Sequence, residues 1–128
     1  MQISDAEWDV MSVLWESEPK TAAEVIAALA QSHAWNHRTI RTLLARLVEK
    51  GATTCEVNGV RYSYCAAVSQ TDCVRQRSQS FLAKVFGGNA SALVSHFVED
   101  GKLSAKELDE LARLLKSKQT SRKSNRRT

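Results

Sequence analysis

The chain has 128 residues, 43% hydrophobic and 25% charged, enough for one domain with a core, or one small domain plus an appendage. No apolar run approaches the ~20 residues needed to span a bilayer. The N-terminus, MQISDAEWDV, has neither the basic nor the apolar part of a secretory signal, so the expected location is cytoplasmic. The net charge of +4 is unevenly spread: residues 1–32 hold six acids against one base (Lys20), and residues 33–84 hold eight bases against three acids. Residues 85–115 hold five acids against three bases, and residues 116–128 hold six bases and no acid. A local basic patch on a near-neutral body fits nucleic-acid binding better than overall basicity would.

Ser4-Asp5-Ala6-Glu7 has the form of a capping box, with Ile3 and Trp8 placed as its hydrophobic staple. A first helix follows to about Glu16. Trp8, Met11, Leu14 and Trp15 give it a broad apolar face, and both tryptophans are expected in the core. Ser17-Glu18-Pro19 breaks that helix. Thr21-Ala22-Ala23-Glu24 is a second capping box, opening a helix to about Gln31 that buries Val25, Ile26 and Leu29.

Residues 35–51, WNHRTIRTLLARLVEKG, define the third helix. Ile40, Leu43, Leu44, Leu47 and Val48 form one stripe at helical spacing. Asn36 is a good N-cap, and Gly51 sits where a left-handed C-cap belongs. Trp35 and Ile40 occupy the staple positions. Arg38, Thr42 and Ala45 point away from the stripe, with Arg41 on one flank and Thr39 and Arg46 on the other. Arginine forks beside small side chains suit a DNA major groove: Arg grips guanine or phosphate, Thr meets a thymine methyl, and Ala allows close approach. Charges facing water would have the same pattern. The preceding helix–turn–helix order favours the DNA reading, because in such units the last helix reads DNA.

Two short runs then flank Asn58-Gly59, the strongest two-residue hairpin signal. A type I′ turn there would pair Val57 with Val60, Cys55 with Tyr62, and Thr53 with Tyr64. Tyr62 and Tyr64 would face the core, and Arg61 would lie near the tip, placed for a phosphate contact. Three helices followed by a hairpin is a winged helix. The expected fold is therefore mostly α with a small β wing: a winged helix-turn-helix domain over residues 1–68.

Residues 69–117 are expected to form a helical dimerisation domain. A helix over 70–86 carries Val74, Phe81, Leu82, Val85 and Phe86, and stops at Gly87-Gly88. Asn89 caps a short helix over 90–99 with Leu93, Val94, Phe97 and Val98. Ser104-Ala105-Lys106-Glu107 is a third capping box, followed by Leu108, Leu111, Ala112 and Leu115 on one face. These helices are too few and too short to bury their apolar faces as a separate domain. Two copies would complete one another's core, giving the symmetric dimer that a reader of palindromic DNA requires; the alternative is that they pack back on the winged helix in a monomer. Residues 118–128 close a basic stretch, KSKQTSRKSNRRT, that is expected to be disordered. It either adds non-specific DNA attraction or only solubilises.

Cys55, Cys65 and Cys73 are odd in number and are expected as reduced thiols. They lack the close pairs typical of zinc sites, and His33, His37 and His96 are scattered, so no metal and no cofactor is expected. There is no glycine-rich phosphate loop and no HExxH. Asp5, Glu7, Glu24 and Glu107 sit at helix starts, where they cap and complement the dipole. No catalytic residues are expected and the chain is not read as an enzyme.

The runs AEWDVMSVLWE, TAAEV, RTIRTLLARLVEKG and NGVRYSYCA, continuing through FLAKVFGGNASALVSHF and LSAKELDELARLL, resemble the penicillinase-repressor family (the BlaI/MecI/CopY group). The resemblance covers nearly all of the chain except the basic tail. It implies a homodimeric winged-helix repressor of inverted-repeat operators. Arg38, Thr39, Arg41 and Thr42 match the family's recognition-helix positions, and Arg61 to Tyr64 match its wing. In the antibiotic-responsive branch a membrane sensor metalloprotease triggers cleavage within the dimerisation domain. The corresponding bond here is His96–Phe97, where well-known members carry Asn before the Phe. The copper-responsive branch ends in paired Cys-x-Cys motifs, which this chain lacks.

The sequence thus leads to a repressor that contacts an inverted-repeat DNA operator through Arg38, Thr39, Arg41, Thr42, Arg46 and Arg61, released by proteolysis. A winged helix that binds only protein, and a repressor answering a small ligand or a redox signal, are the alternatives.

Overall fold

The computed structural model describes the backbone of residues 1–126 and the side chains of residues 1–122. The elements run α1 (Asp5–Glu16), β1 (Lys20–Thr21), α2 (Ala22–Leu29), α3 (His37–Lys50), β2 (Thr53–Asn58), β3 (Arg61–Ala66), α4 (Gln70–Phe86), α5 (Ala90–Glu99) and α6 (Ala105–Arg126). They fall into two units, Met1–Gln76 and Arg77–Thr128. The division lies inside α4, later than the expected boundary at residue 68. Cys73, on the first turn of α4, is buried.

The first unit is built on the caps that the sequence announces. Ser4 and Glu7 exchange side-chain and backbone hydrogen bonds at the start of α1, and Thr21 and Glu24 do the same at the start of α2. Each box satisfies two donors that a helix start leaves orphaned. Val10, Met11 and Leu14 of α1 meet Val25 and Leu29 of α2, Ile40, Leu43, Leu44 and Leu47 of α3, and Ala52 in one buried cluster. Each large side chain contributes about 1.5–3 kcal/mol by leaving water. Trp15, Trp35, Tyr64 and Val68 pack against the cluster from its margin. The Trp15 indole also donates to Val68 O at 2.9 Å, tying α1 to the chain after the hairpin.

The sheet is three-stranded and antiparallel, in the order β1-β3-β2. β1 was not expected: Lys20 and Thr21 pair with Tyr64 and Ser63 just before Thr21 caps α2. The hairpin register also differs. Asn58 pairs with Arg61, Val57 with Tyr62, Cys55 with Tyr64, and Thr53 with Ala66. A type I′ turn requires positive φ at both Asn58 and Gly59. Here Gly59 has φ 66° and no non-glycine residue has positive φ, so glycine is the first of the two loop residues and Val60 the second. The shift preserves which residues share a face. Tyr64 reaches the core, whereas Tyr62, two pairs nearer the tip, is 54% exposed.

Three smaller expectations are corrected. α2 ends at Leu29. Val48, at the edge of the α3 stripe in its last turn, is exposed. Trp8 is half-buried and meets Trp15 edge-on, with centroids 5.3 Å apart, at the rim of the core.

In the second unit the N-caps of α5 and α6 form as expected, at Asn89 and through Ser104 with Glu107. α6 does not stop near residue 117. It continues to Arg126, so the expected disorder of residues 118–128 is corrected for the described part; Arg127 and Thr128 lie outside the described residues. The tail's Lys, Gln and Arg residues are good helix formers, and it holds no Gly or Pro to stop propagation. Among the described residues, no helix is long and apolar enough to cross a membrane.

Candidate nucleic-acid interface

α3 has a buried face and a free one, and both ends are anchored. Asn36 Oδ1 accepts from Thr39 N at 2.9 Å at the start, and Gly51 takes the left-handed conformation (φ 82°) at the end. Two further contacts tie α3 and the link before it to α1. In the link, His33 Nε2 lies 3.0 Å from Asp9 Oδ2, and the His33 ring lies against Trp35, tilted, with centroids 4.1 Å apart. At the C-terminal end, Lys50 Nζ donates to Glu7 Oε1 at 2.6 Å and to Gln2 O at 2.8 Å. Glu7 is buried, and its Oε1 also accepts from Ser4 N. Burial pushes the Glu7 carboxyl up, but the hydrogen bonds from Lys50 and Ser4 outweigh it and hold the group below the usual carboxylate value. Helical periodicity reveals neither contact, because the partners lie on different elements.

The free face presents Arg38, Arg41, Thr42, Ala45 and Arg46, all exposed. Among the described residues, no hydrogen bond or ion pair engages the guanidinium of Arg38, Arg41 or Arg46. From Arg38 to Arg46 the helix rises about 12 Å, close to the width of a B-DNA major groove. The threonines are less free. Thr42 Oγ1 donates to Arg38 O at 3.0 Å, and Thr39 Oγ1 donates to Asn36 Oδ1 at 3.2 Å. Their hydroxyl protons are used within the helix, leaving methyls and lone pairs to face a ligand.

The wing starts beside this face. Burial pushes the Tyr64 phenol up, the neighbouring Cys55 adds to that, and the charge of Arg41 opposes it. Arg41, Tyr64 and Cys55 are therefore electrostatic neighbours where α3 meets the hairpin. Arg61 flanks the two-residue turn at the wing tip, as expected, and is exposed. Its charge also reaches Glu24, whose carboxyl is lowered mainly by hydrogen bonds from Thr21 and only slightly by Lys20 and Arg61. The structure thus collects Arg38, Thr39, Arg41, Thr42 and Arg46 on one helix and sets Arg61 on the wing of the same unit.

His96 and Phe97 lie in the second unit, on α5, and both are exposed. His96 Nε2 is 3.3 Å from Asp100 Oδ2, and its ring neighbours Phe86 and Phe97. Among the described residues, no group of three or more His, Cys, Asp or Glu is placed to hold a metal. Cys55 pairs across the hairpin with Tyr64 and Cys65 with Thr54, so the two thiols sit on opposite faces of the sheet.

Two capped helices, a third helix with an open arginine face, and a β hairpin define a winged-helix regulator. The penicillinase repressor family model matches residues 3–117, and the chain belongs to that family. It is 34% identical over 122 residues to the penicillinase repressor of Bacillus licheniformis, covering 95% of each chain. It is also 34% identical over 117 residues to the methicillin resistance regulatory protein MecI of Mammaliicoccus sciuri, covering 91% of this chain and 95% of that one. Among solved structures, monomeric BlaI of Bacillus licheniformis in complex with the blaP half-operator matches with a TM-score of 0.50 and 38% identity, over 56% of this chain and 88% of that chain. The family consists of transcriptional repressors, not enzymes.

Proposed function

We propose that the protein is a homodimeric transcriptional repressor that reads an inverted-repeat operator with α3 from each protomer, contacts phosphate with its wing, and is released by proteolysis in the second unit. The carrying observation is the open face of α3: three exposed arginines that, among the described residues, make no hydrogen bond or ion pair, beside Thr42 and Ala45, on a helix tied to α1 by Lys50 at its end and by His33 in the link before it. Anchoring matters because a contact to a base edge gives discrimination only when the donor is held in register by the scaffold. Of the six candidate residues, Arg38 and Arg41 would supply base or phosphate contacts, Thr39, Thr42 and Arg46 would flank them, and Arg61 would meet phosphate. The BlaI relative, which shares the fold and was solved in complex with the blaP half-operator, supports the assignment.

The dimer rests on the second unit. Among the described residues, no side chain after Cys73 is buried, and Phe81, Val85, Val94, Phe97, Val98, Leu108, Leu114 and Leu115 are exposed. Helices with that much apolar surface need a partner, and a second copy supplies a matching surface by symmetry. Cleavage of the His96–Phe97 bond by a membrane sensor metalloprotease would separate the winged helix from α6. Each winged helix would then bind a half-site alone and lose the avidity of the pair.

Binding of the purified full chain to the DNA upstream of its own gene, across a salt series with mass read by light scattering, tests this reading. A dimer that binds selectively and loses affinity steeply with salt is expected. A monomer that ignores this DNA would point instead to a protein partner. Protein cut at residue 96 should bind the full operator far more weakly, and equal binding would remove proteolysis as the release step.

A further inference from the structure

The family match ends at residue 117, but the helix does not. α6 carries on to Arg126 through a segment with no apolar residue after Leu115 and no acid after Glu110. Lys118, Arg122, Lys123, Arg126 and Arg127 all lie beyond the family match. Packing does not explain this extension: Lys116, Lys118 and Arg122 are exposed and, among the described residues, make no ion pair. Lys118 and Arg122 stand four residues apart on the helix, as do Arg122 and Arg126 in sequence, a spacing at which like charges repel. A polyanion lying along the segment would relieve that repulsion and release the counterions that otherwise screen it.

We propose that this extension of α6 is a second, sequence-independent DNA contact, which grips the phosphate backbone while α3 reads the operator. The inference rests on the reading of α3 as the DNA-reading helix. An all-basic segment fits DNA better than it fits a solubilising role, since acidic residues serve solubility better. It also fits DNA better than a lipid surface, because a membrane-bound helix needs an apolar face to insert and this segment has none. Each cation that neutralises a phosphate releases a counterion, so the contribution appears as salt dependence rather than base preference.

The test compares the full chain with a full-length variant in which Lys118, Arg122, Lys123, Arg126 and Arg127 are all changed to Gln, which preserves helix propensity. Both are titrated against a duplex carrying an operator selected from random DNA and against a shuffled duplex, with mass checked by light scattering. The slope of log affinity against log salt should be shallower in the variant by about 2 or more, one phosphate per protomer being the minimum. Affinity for both duplexes should fall by a similar factor, about tenfold or more at low salt, leaving selectivity unchanged. Equal slopes and affinities would overturn the proposal. Unchanged DNA binding with lost binding to phosphatidylserine vesicles would overturn it in favour of an anionic lipid surface. Failure of either protein to select any sequence would strike the reading of α3 instead, whatever the slopes show.

Discussion

Glu7 serves two structural roles. It completes the capping box of α1, which its position three residues after Ser4 announces, and it accepts the ammonium of Lys50 from the last turn of α3, which nothing nearby announces. Because the folded carboxyl lies below its usual value, its stabilisation is fully present above the unfolded-state pKa of about 4.3 and is lost as pH falls through the folded value. Glu7→Gln should therefore lower the urea midpoint at pH 7, with the gap to wild type closing below about pH 4. A gap that stays constant with pH would show that the charge contributes nothing. Lys50→Met should cost about 1–3 kcal/mol, since it leaves a buried carboxylate short of a donor. On the free face, Arg41→Ala should weaken operator binding by about 1–3 kcal/mol if the side chain reads a base. The dimer should remain intact by light scattering, and unchanged affinity would remove Arg41 from the interface.

At the scale of elements, legibility tracked how local the determining physics is. α3 could be read whole, because cap, staple, stripe and left-handed glycine all lie within residues 35–51. Gly51 tests that reading. Space is open where its Cβ would point, so Gly51→Ala should cost about 1–2 kcal/mol through backbone conformation alone, measured by urea unfolding. The hairpin was legible in existence but not in register. Asn-Gly permits two loops that differ by one residue, and which residue takes positive φ is settled by pairing along β3. β1 was not legible, because two residues before a capping box show no alternation and pair only when β3 arrives beside them. The length of α6 is not legible in the sequence, because charge and low hydropathy say whether a segment can fill a core, not whether an existing helix can propagate into it. The open face of α3 was legible from periodicity, whereas the contacts that tie Lys50 and the His33 link to α1 required the tertiary structure.

At the scale of the molecule, the two units differ in what they bury. The first closes a core of its own around α1, α2 and α3. Among the described residues, the second buries no side chain fully and leaves many of its large apolar side chains exposed, which underlies the proposed dimer. Leu115→Glu, placing a charge on that exposed surface, should shift the chain toward monomer in sedimentation while leaving the fluorescence of Trp8, Trp15 and Trp35, all in the first unit, unchanged. A dimer of undiminished stability would take Leu115 out of the contact. A dimer also has a geometric consequence, since two symmetric copies of α3 require two half-sites related by inversion and separated by about one helical turn or more. The most direct measurement is selection of bound sequences from random duplex DNA by the intact protein, with the protein-to-duplex ratio read on the selected site. An inverted repeat carrying two chains per duplex is the predicted result. A single asymmetric site holding one chain, or no sequence enrichment at all, would contradict the account.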